Sequence, residues 1–117
     1  MRMRILYLIT DLQIGGAEKN LFYLATGIDR SLFLPRVASL QGGEIENWLK
    51  EEGILVYPER MKGKGDLSII FKWGKIVEDF RPHILHAFLF HTNILGRILG
   101  KIYQVPIIIS SIRVMEK

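Results

Sequence analysis

The chain has 117 residues, 49% of them apolar, with no cysteine and a formal net charge of +4 from sixteen Lys and Arg against twelve Asp and Glu. That is enough chain for one domain with a real core, and it excludes a disulfide framework or a thiolate metal site. The basic residues are scattered among acids without aromatic interleaving, so no nucleic-acid partner is expected.

The opening "MRMRILYLIT" has an apolar core of only five residues, Ile5 to Ile9, with no small-residue cleavage site after it. It reads as a first buried strand over Arg4–Ile9, not as a signal peptide. No later run is long enough to span a bilayer, and a cytoplasmic location is expected. A helix is predicted over Gly16–Ile28, with Ala17, Leu21, Leu24, Ala25 and Ile28 on its inward face. Strand two is predicted over Phe33–Leu40, with Pro35 near its start, where no ladder bond is lost. A short helix over Gly43–Glu52 turns Ile45, Trp48 and Leu49 inward, and Gly53 stands where a left-handed cap belongs.

Strand three is predicted over Ile54–Tyr57, stopped by Pro58. The polar, glycine-rich "ERMKGKG" reads as a mobile loop. Its Arg60, Lys62 and Lys64, like Lys72 and Lys75, fit either a solvated face or an anionic partner, such as a phosphate-bearing substrate or an acidic membrane surface in weak contact. Asp66 is a plausible N-cap for a helix running to Phe80, whose predicted stripe is Leu67, Ile70, Phe71, Ile76, Val77 and Phe80. Strand four is predicted over Ile84–Ala87. A helix over Thr92–Tyr103 turns Ile94, Leu95, Ile98, Leu99 and Ile102 inward, and strand five is predicted over Ile107–Ser110. Gly96 and Gly100 fit close packing of that helix on the sheet better than membrane dimerisation.

Strand and helix alternate four times and end on a strand. The predicted fold is α/β: a Rossmann-like, doubly wound parallel sheet of about five strands, order 3-2-1-4-5, with helices on both faces. In that order the loops after strands one and four flank the switch point where ligands bind.

The loop after strand one, "TDLQIGGAEKN", carries Gly15 and Gly16 but neither GxGxxG nor a P-loop. Two readings stand. The glycines merely turn the chain while Glu18 satisfies the helix dipole. Alternatively, glycine backbone and open N–H groups at a helix N-terminus form a site for a phosphate or pyrophosphate.

The segment "MRILYLITDLQIGGAEKNLFYLATGIDRSLFLPRVASL" resembles the opening of a family 4 glycosyltransferase of the GT-B fold, with Gly15-Gly16-Ala17-Glu18 as the GGAE motif. "RPHILHAFLFHTNILGRILGKIYQVPIIISSIR" is similar to that family's fourth- and fifth-strand region. The resemblance covers essentially the whole chain. It implies that residues 1–117 form one Rossmann-like domain equivalent to the N-terminal, acceptor-side half of such an enzyme. The C-terminal domain that binds the donor is absent from these residues. The activity implied is retaining transfer of a sugar from a nucleotide-sugar donor to a lipid-linked or polysaccharide acceptor. This half is expected to be inactive alone, and no cofactor or metal is implied. Gly15 and Gly16 would form the donor-phosphate loop.

All three histidines, His83, His86 and His91, lie around strand four. They read as structural residues or as part of a polar site at that strand's carboxyl end; a metal reading lacks HExxH-like spacing. By the resemblance His86 keeps one of two familiar histidines, and His91 with Asn93 matches an FHxN-like stretch. Arg113 stands where some members place a histidine. It fits either a partner for an anionic ligand or an exposed terminal residue. Glu18, His86, His91, Asn93 and Arg113 are thus the acceptor and cleft candidates. No nucleophile with an adjacent base is legible, so no catalytic residue is assigned. The competing reading is a non-catalytic α/β binding or regulatory module. A phosphoreceiver lacks its aspartate at Tyr57-Pro58, and an oxidoreductase lacks GxGxxG and an acid at Ser39-Leu40-Gln41.

Overall fold

The computed structural model describes residues 2–9, 16–39, 42–57, 68–88 and 97–111. Among them lie β1 (Met3–Ile9), α1 (Gly16–Gly27), β2 (Phe33–Ser39), α2 (Glu44–Glu51), β3 (Leu55–Tyr57), α3 (Ser68–Phe80), β4 (Ile84–Phe88) and β5 (Ile107–Ser111). Residues 97–102 are also helical. The strands form one sheet in the order β3-β2-β1-β4-β5, and every pairing is parallel. This is the predicted doubly wound α/β architecture.

The period of two in β1 sorts its residues between two cores. Ile5, Tyr7 and Ile9 turn to one face, where they meet Leu21 and Ala25 of α1 and Ile45 and Leu49 of α2. Leu6 and Leu8 turn to the other, where they meet Trp73, Ile76, Val77 and Phe80 of α3 and Leu99. Because β1 is central and buried on both faces, it reads as a continuous apolar run rather than an alternating one. Pro35 lies opposite Ile5, one residue before Arg36–Ala38, where β2 gains β3 on its other side. A missing N–H is least harmful there.

Local caps end the helices. Gly53 has φ 78° and its N–H reaches the carbonyl of Lys50 at 3.0 Å, the left-handed stop expected of it. After α3, Arg81 takes φ 51° while its N–H bonds Val77 O at 2.8 Å, and Pro82 prevents further helix. Asp66 lies outside the described residues, as do Leu67 and the stretch holding Arg60, Lys62 and Lys64, read from the sequence as a mobile loop.

Three predicted stripes need correction. In α3 the buried face is Trp73, Ile76, Val77 and Phe80, while Phe71 is 79% exposed. Trp73 fits the i, i+3, i+4, i+7 stripe; Phe71, two residues before it, points about 200° away. In α1, Leu24 is exposed and Phe22 packs on the core instead, since the face centres between Leu21 and Ala25. In the last helix Leu99 is buried, but Ile98 and Ile102 are 41% and 59% exposed. This helix lies over β5, the sheet's edge, so its outer flank has no strand beneath it. Its tight contact is Gly100: a Cβ there would collide with the Ile108 side chain and lie 3.8 Å from Leu85. That is the close helix-to-sheet approach expected of this glycine; Gly96 lies outside the described residues.

Candidate functional site

Parallel strands end together at one edge, and each crossover helix starts near it. α1 follows β1, so Gly16, its exposed first residue, stands at that edge. The first-turn N–H groups of a helix have no intrahelical acceptor and carry a partial positive charge. Gly15 lies outside the described residues. Glu18 is in the first turn of α1, partly buried and engaged in an interaction of its own.

The sheet grows from β1 toward β2 and β3 on one side and from β4 toward β5 on the other. The boundary between β1 and β4 is therefore the switch point. On the α1 side one row crosses it: Val56, Val37, Tyr7, His86 and Ile109 lie in register. The row passes from cover to exposure. Val56, Val37 and Tyr7 are buried, His86 is half-buried, and Ile109 is 41% exposed. His86 thus occupies the border between the half-sheet that α1 and α2 cover and the half they leave open.

An aromatic step is built at that border. The His86 ring stacks on Phe88, with centroids 4.4 Å apart and 17° between planes. Tyr7 lies 5.5 Å from His86 and 6.2 Å from Phe88, tilted to both. Desolvation pushes the Tyr7 phenol up from its ordinary value and holds His86 below its own. Near neutral pH both rings are therefore uncharged, able to stack and to exchange hydrogen bonds but not to act as fixed charges. At the carboxyl end of β2, beside Ile9, Ser39 is fully buried on the same face. Its Oγ has no hydrogen-bond partner among the described residues.

Of the residues singled out in the sequence, the structure brings Gly16 and Glu18 to the start of α1 and His86 to the middle of β4. His86 lies two residues back from the strand's end, which Phe88 occupies. His83 is not beside it. Its Nδ1 accepts the Arg4 backbone N–H at 3.0 Å, at the opposite, amino edge of the sheet. His91, Asn93 and Arg113 lie outside the described residues. Sequence reasoning missed Tyr7, Phe88 and Ser39. Tyr7 lay unremarked inside predicted strand one, Phe88 fell just past the predicted end of strand four, and Ser39 entered only as the place where an acid is lacking. The available signal was position: Tyr7 and Phe88 lie at or near the carboxyl ends of β1 and β4, which flank the switch point, and Ser39 ends β2 beside β1.

No family model matches the chain, and no curated protein matches it. Solved structures do. HepE of Anabaena in complex with UDP-glucose aligns at TM-score 0.74 and 22% identity over 91% of this chain and 28% of its own. MurG of Acinetobacter baumannii aligns at 0.71 and 13% identity over 92% of this chain and 35% of its own. A glycosyltransferase from Rickettsia africae aligns at 0.69 and 16% identity over 93% of this chain and 29% of its own. At these identities the likeness is one of fold. The chain spans about a third or less of the length of each.

Proposed function

We propose that this chain is the acceptor-side domain of a sugar transferase, working opposite a second domain that holds most of a nucleotide-sugar donor. The acceptor would be a lipid-linked or polysaccharide saccharide. The observation that carries this reading is the start of α1 at Gly16, beside the switch point of a sheet whose fold is shared with HepE, a protein solved with UDP-glucose. The arrangement strand, Gly-Gly, helix suits close approach of a diphosphate to bare backbone.

In this reading Gly15 and Gly16 line the donor phosphates, and the α1 N–H groups stabilise charge on the departing diphosphate. At the step, the buried Tyr7 and Phe88 hold the half-buried, uncharged ring of His86 at the border where the cleft opens. Glu18, His91, Asn93 and Arg113 complete the candidate cleft. Catalysis here rests on positioning and on preorganised electrostatics rather than on a covalent intermediate. Positioning needs both walls of a cleft, so residues 1–117 alone transfer no sugar.

The test is Gly16→Val in the longest natural form of the protein, assayed with UDP-glucose, UDP-N-acetylglucosamine and GDP-mannose. Side-chain bulk at the point of closest approach should cut turnover roughly a hundredfold, about 2.7 kcal/mol, while the melting temperature holds. Unchanged turnover in a folded variant, or robust turnover by residues 1–117 alone, would overturn the proposal.

A further inference from the structure

The opposite edge of the sheet carries a second polar site. Where β1, β4 and β5 begin, a cavity of about 410 Å³ opens, lined in part by Arg4, Glu78, Arg81, His83, Tyr103 and Pro106. Its size is within the range of small-molecule pockets. It shares no residue with the switch-point site.

Three side chains with hydrogen-bond donors line it: Arg4, Arg81 and His83. His83 Nδ1 accepts the Arg4 backbone N–H at 3.0 Å, so the neutral ring carries its proton on Nε2, a donor. Arg4 is held through Nε, which donates to the Arg81 carbonyl at 2.8 Å. That bond orients the guanidinium and leaves its two terminal nitrogens as a fork, the geometry that pairs with oxyanions. Arg81 adds a second guanidinium. Glu78 is the one carboxylate of the lining, and no ion pair joins it to either arginine among the described residues.

Backbone strain falls at the same place. Arg81 and Gln104 are the non-glycine residues with positive φ among the described residues, at 51° and 55°, and both line this cavity. Each follows a helix end, where glycine is the ordinary occupant. Helix termination explains the left-handed backbone. A cation suits the end of a helix, yet glycine would end α3 there without a Cβ penalty. Strain held at a residue that adds charge to a cavity points to a ligand.

We infer that this cavity binds a phosphate group, with the Arg4 fork and Arg81 on its oxygens and His83 Nε2 donating a third bond. Tyr103 and Pro106 flank the apolar part of a small molecule carrying the group. Two guanidiniums against one carboxylate leave a net positive charge for an anion, and three donor groups suit the three terminal oxygens of a phosphomonoester.

The experiment is NMR titration of the chain with inorganic phosphate and, separately, glycerol 3-phosphate, in oxyanion-free buffer at fixed ionic strength. The ring resonances of His83 report this site, and the Gly16 amide reports the switch point. Saturable shifts at His83 are expected, with glycerol 3-phosphate binding at least as tightly as phosphate. Arg81→Gly keeps the left-handed backbone accessible and so preserves the fold; it should weaken binding at least tenfold. Glu78→Gln should tighten it severalfold. Non-saturating shifts, saturation at Gly16 with none at His83, or equal affinity in Arg81→Gly would each overturn the inference.

Discussion

The imidazole of His86 lies flat against the ring of Phe88, centroid to centroid 4.4 Å. The two are alternate residues of β4, so they project from the same face, and the stack holds His86 where desolvation favours its neutral form. The unfolded chain, with the ordinary value of 6.5, therefore takes up this proton first as pH falls. The stability contributed by the neutral ring is complete above 6.5 and is lost as pH falls through the lowered folded value. Urea melts at pH 7.5 and pH 5 should show a larger drop in midpoint for the native chain than for His86→Phe, which keeps a stacked ring without a proton to bind. Equal drops would mean that His86 is not the group being titrated.

Trp73 and Phe71 test which face of α3 is the core. Trp73 is fully buried and Phe71 is 79% exposed. Trp73→Ala should cost about 3–5 kcal/mol by leaving a cavity, whereas Phe71→Ala should change stability by no more than about 0.5 kcal/mol. Chemical denaturation of the two variants side by side measures the difference. A large loss at Phe71 would contradict the orientation of the helix.

Gly74 and Gly100 both sit in helices, yet alanine should act oppositely at the two. At Gly74 the new Cβ meets the Tyr103 hydroxyl at 2.8 Å, the far end of a flexible, partly exposed side chain that can swing aside. The helical preference for alanine, about 1 kcal/mol, then dominates, and Gly74→Ala should be neutral or stabilising. At Gly100 the Cβ meets Ile108, including its Cγ1 at 2.8 Å, on a strand of the sheet. Overpacking of about 1–3 kcal/mol outweighs the propensity gain, and Gly100→Ala should lower the melting temperature.

The basic stretch holding Arg60, Lys62 and Lys64 reads either as a solvated face or as a weak contact with acidic membranes, and a binding assay separates the two. Each such residue near an anionic surface contributes about 1 kcal/mol. No described helix is long and apolar enough to cross a membrane. Contact made through these charges would be sensitive to salt. Vesicle sedimentation should detect binding to anionic but not neutral lipid, reduced by added salt and by changing the three residues to glutamine. Equal behaviour on both lipids would remove the membrane from the functional picture.

The local part of this protein was legible in its sequence. The continuous apolar run Ile5–Ile9 and the four-residue spacing of Ile45 and Leu49 depend only on neighbours a few residues apart, so strands and helices alternate where the pattern places them. Glycine at 53 and proline at 82 act through their own backbone chemistry, and the helix stops there are legible for the same reason. Gly16 at the start of α1 was readable too, because a glycine pair between strand and helix is itself a local signal.

Tertiary structure alone decided the rest. Which flank of a helix is buried depends on what lies beneath it. Strand five was placed at the sheet's edge in the predicted order, but only the packed structure shows that the helix overhangs that edge and leaves Ile98 and Ile102 exposed. The stack that defines the candidate cleft joins Tyr7 to His86 and Phe88 across a parallel pairing, and the amino-edge cavity joins Arg4 to Arg81 and His83. Parallel strands need long crossovers to pair, so residues nearly eighty positions apart become neighbours. No short-range pattern encodes that contact; it appears only when two faces of apolar surface close over β1 and fix the register.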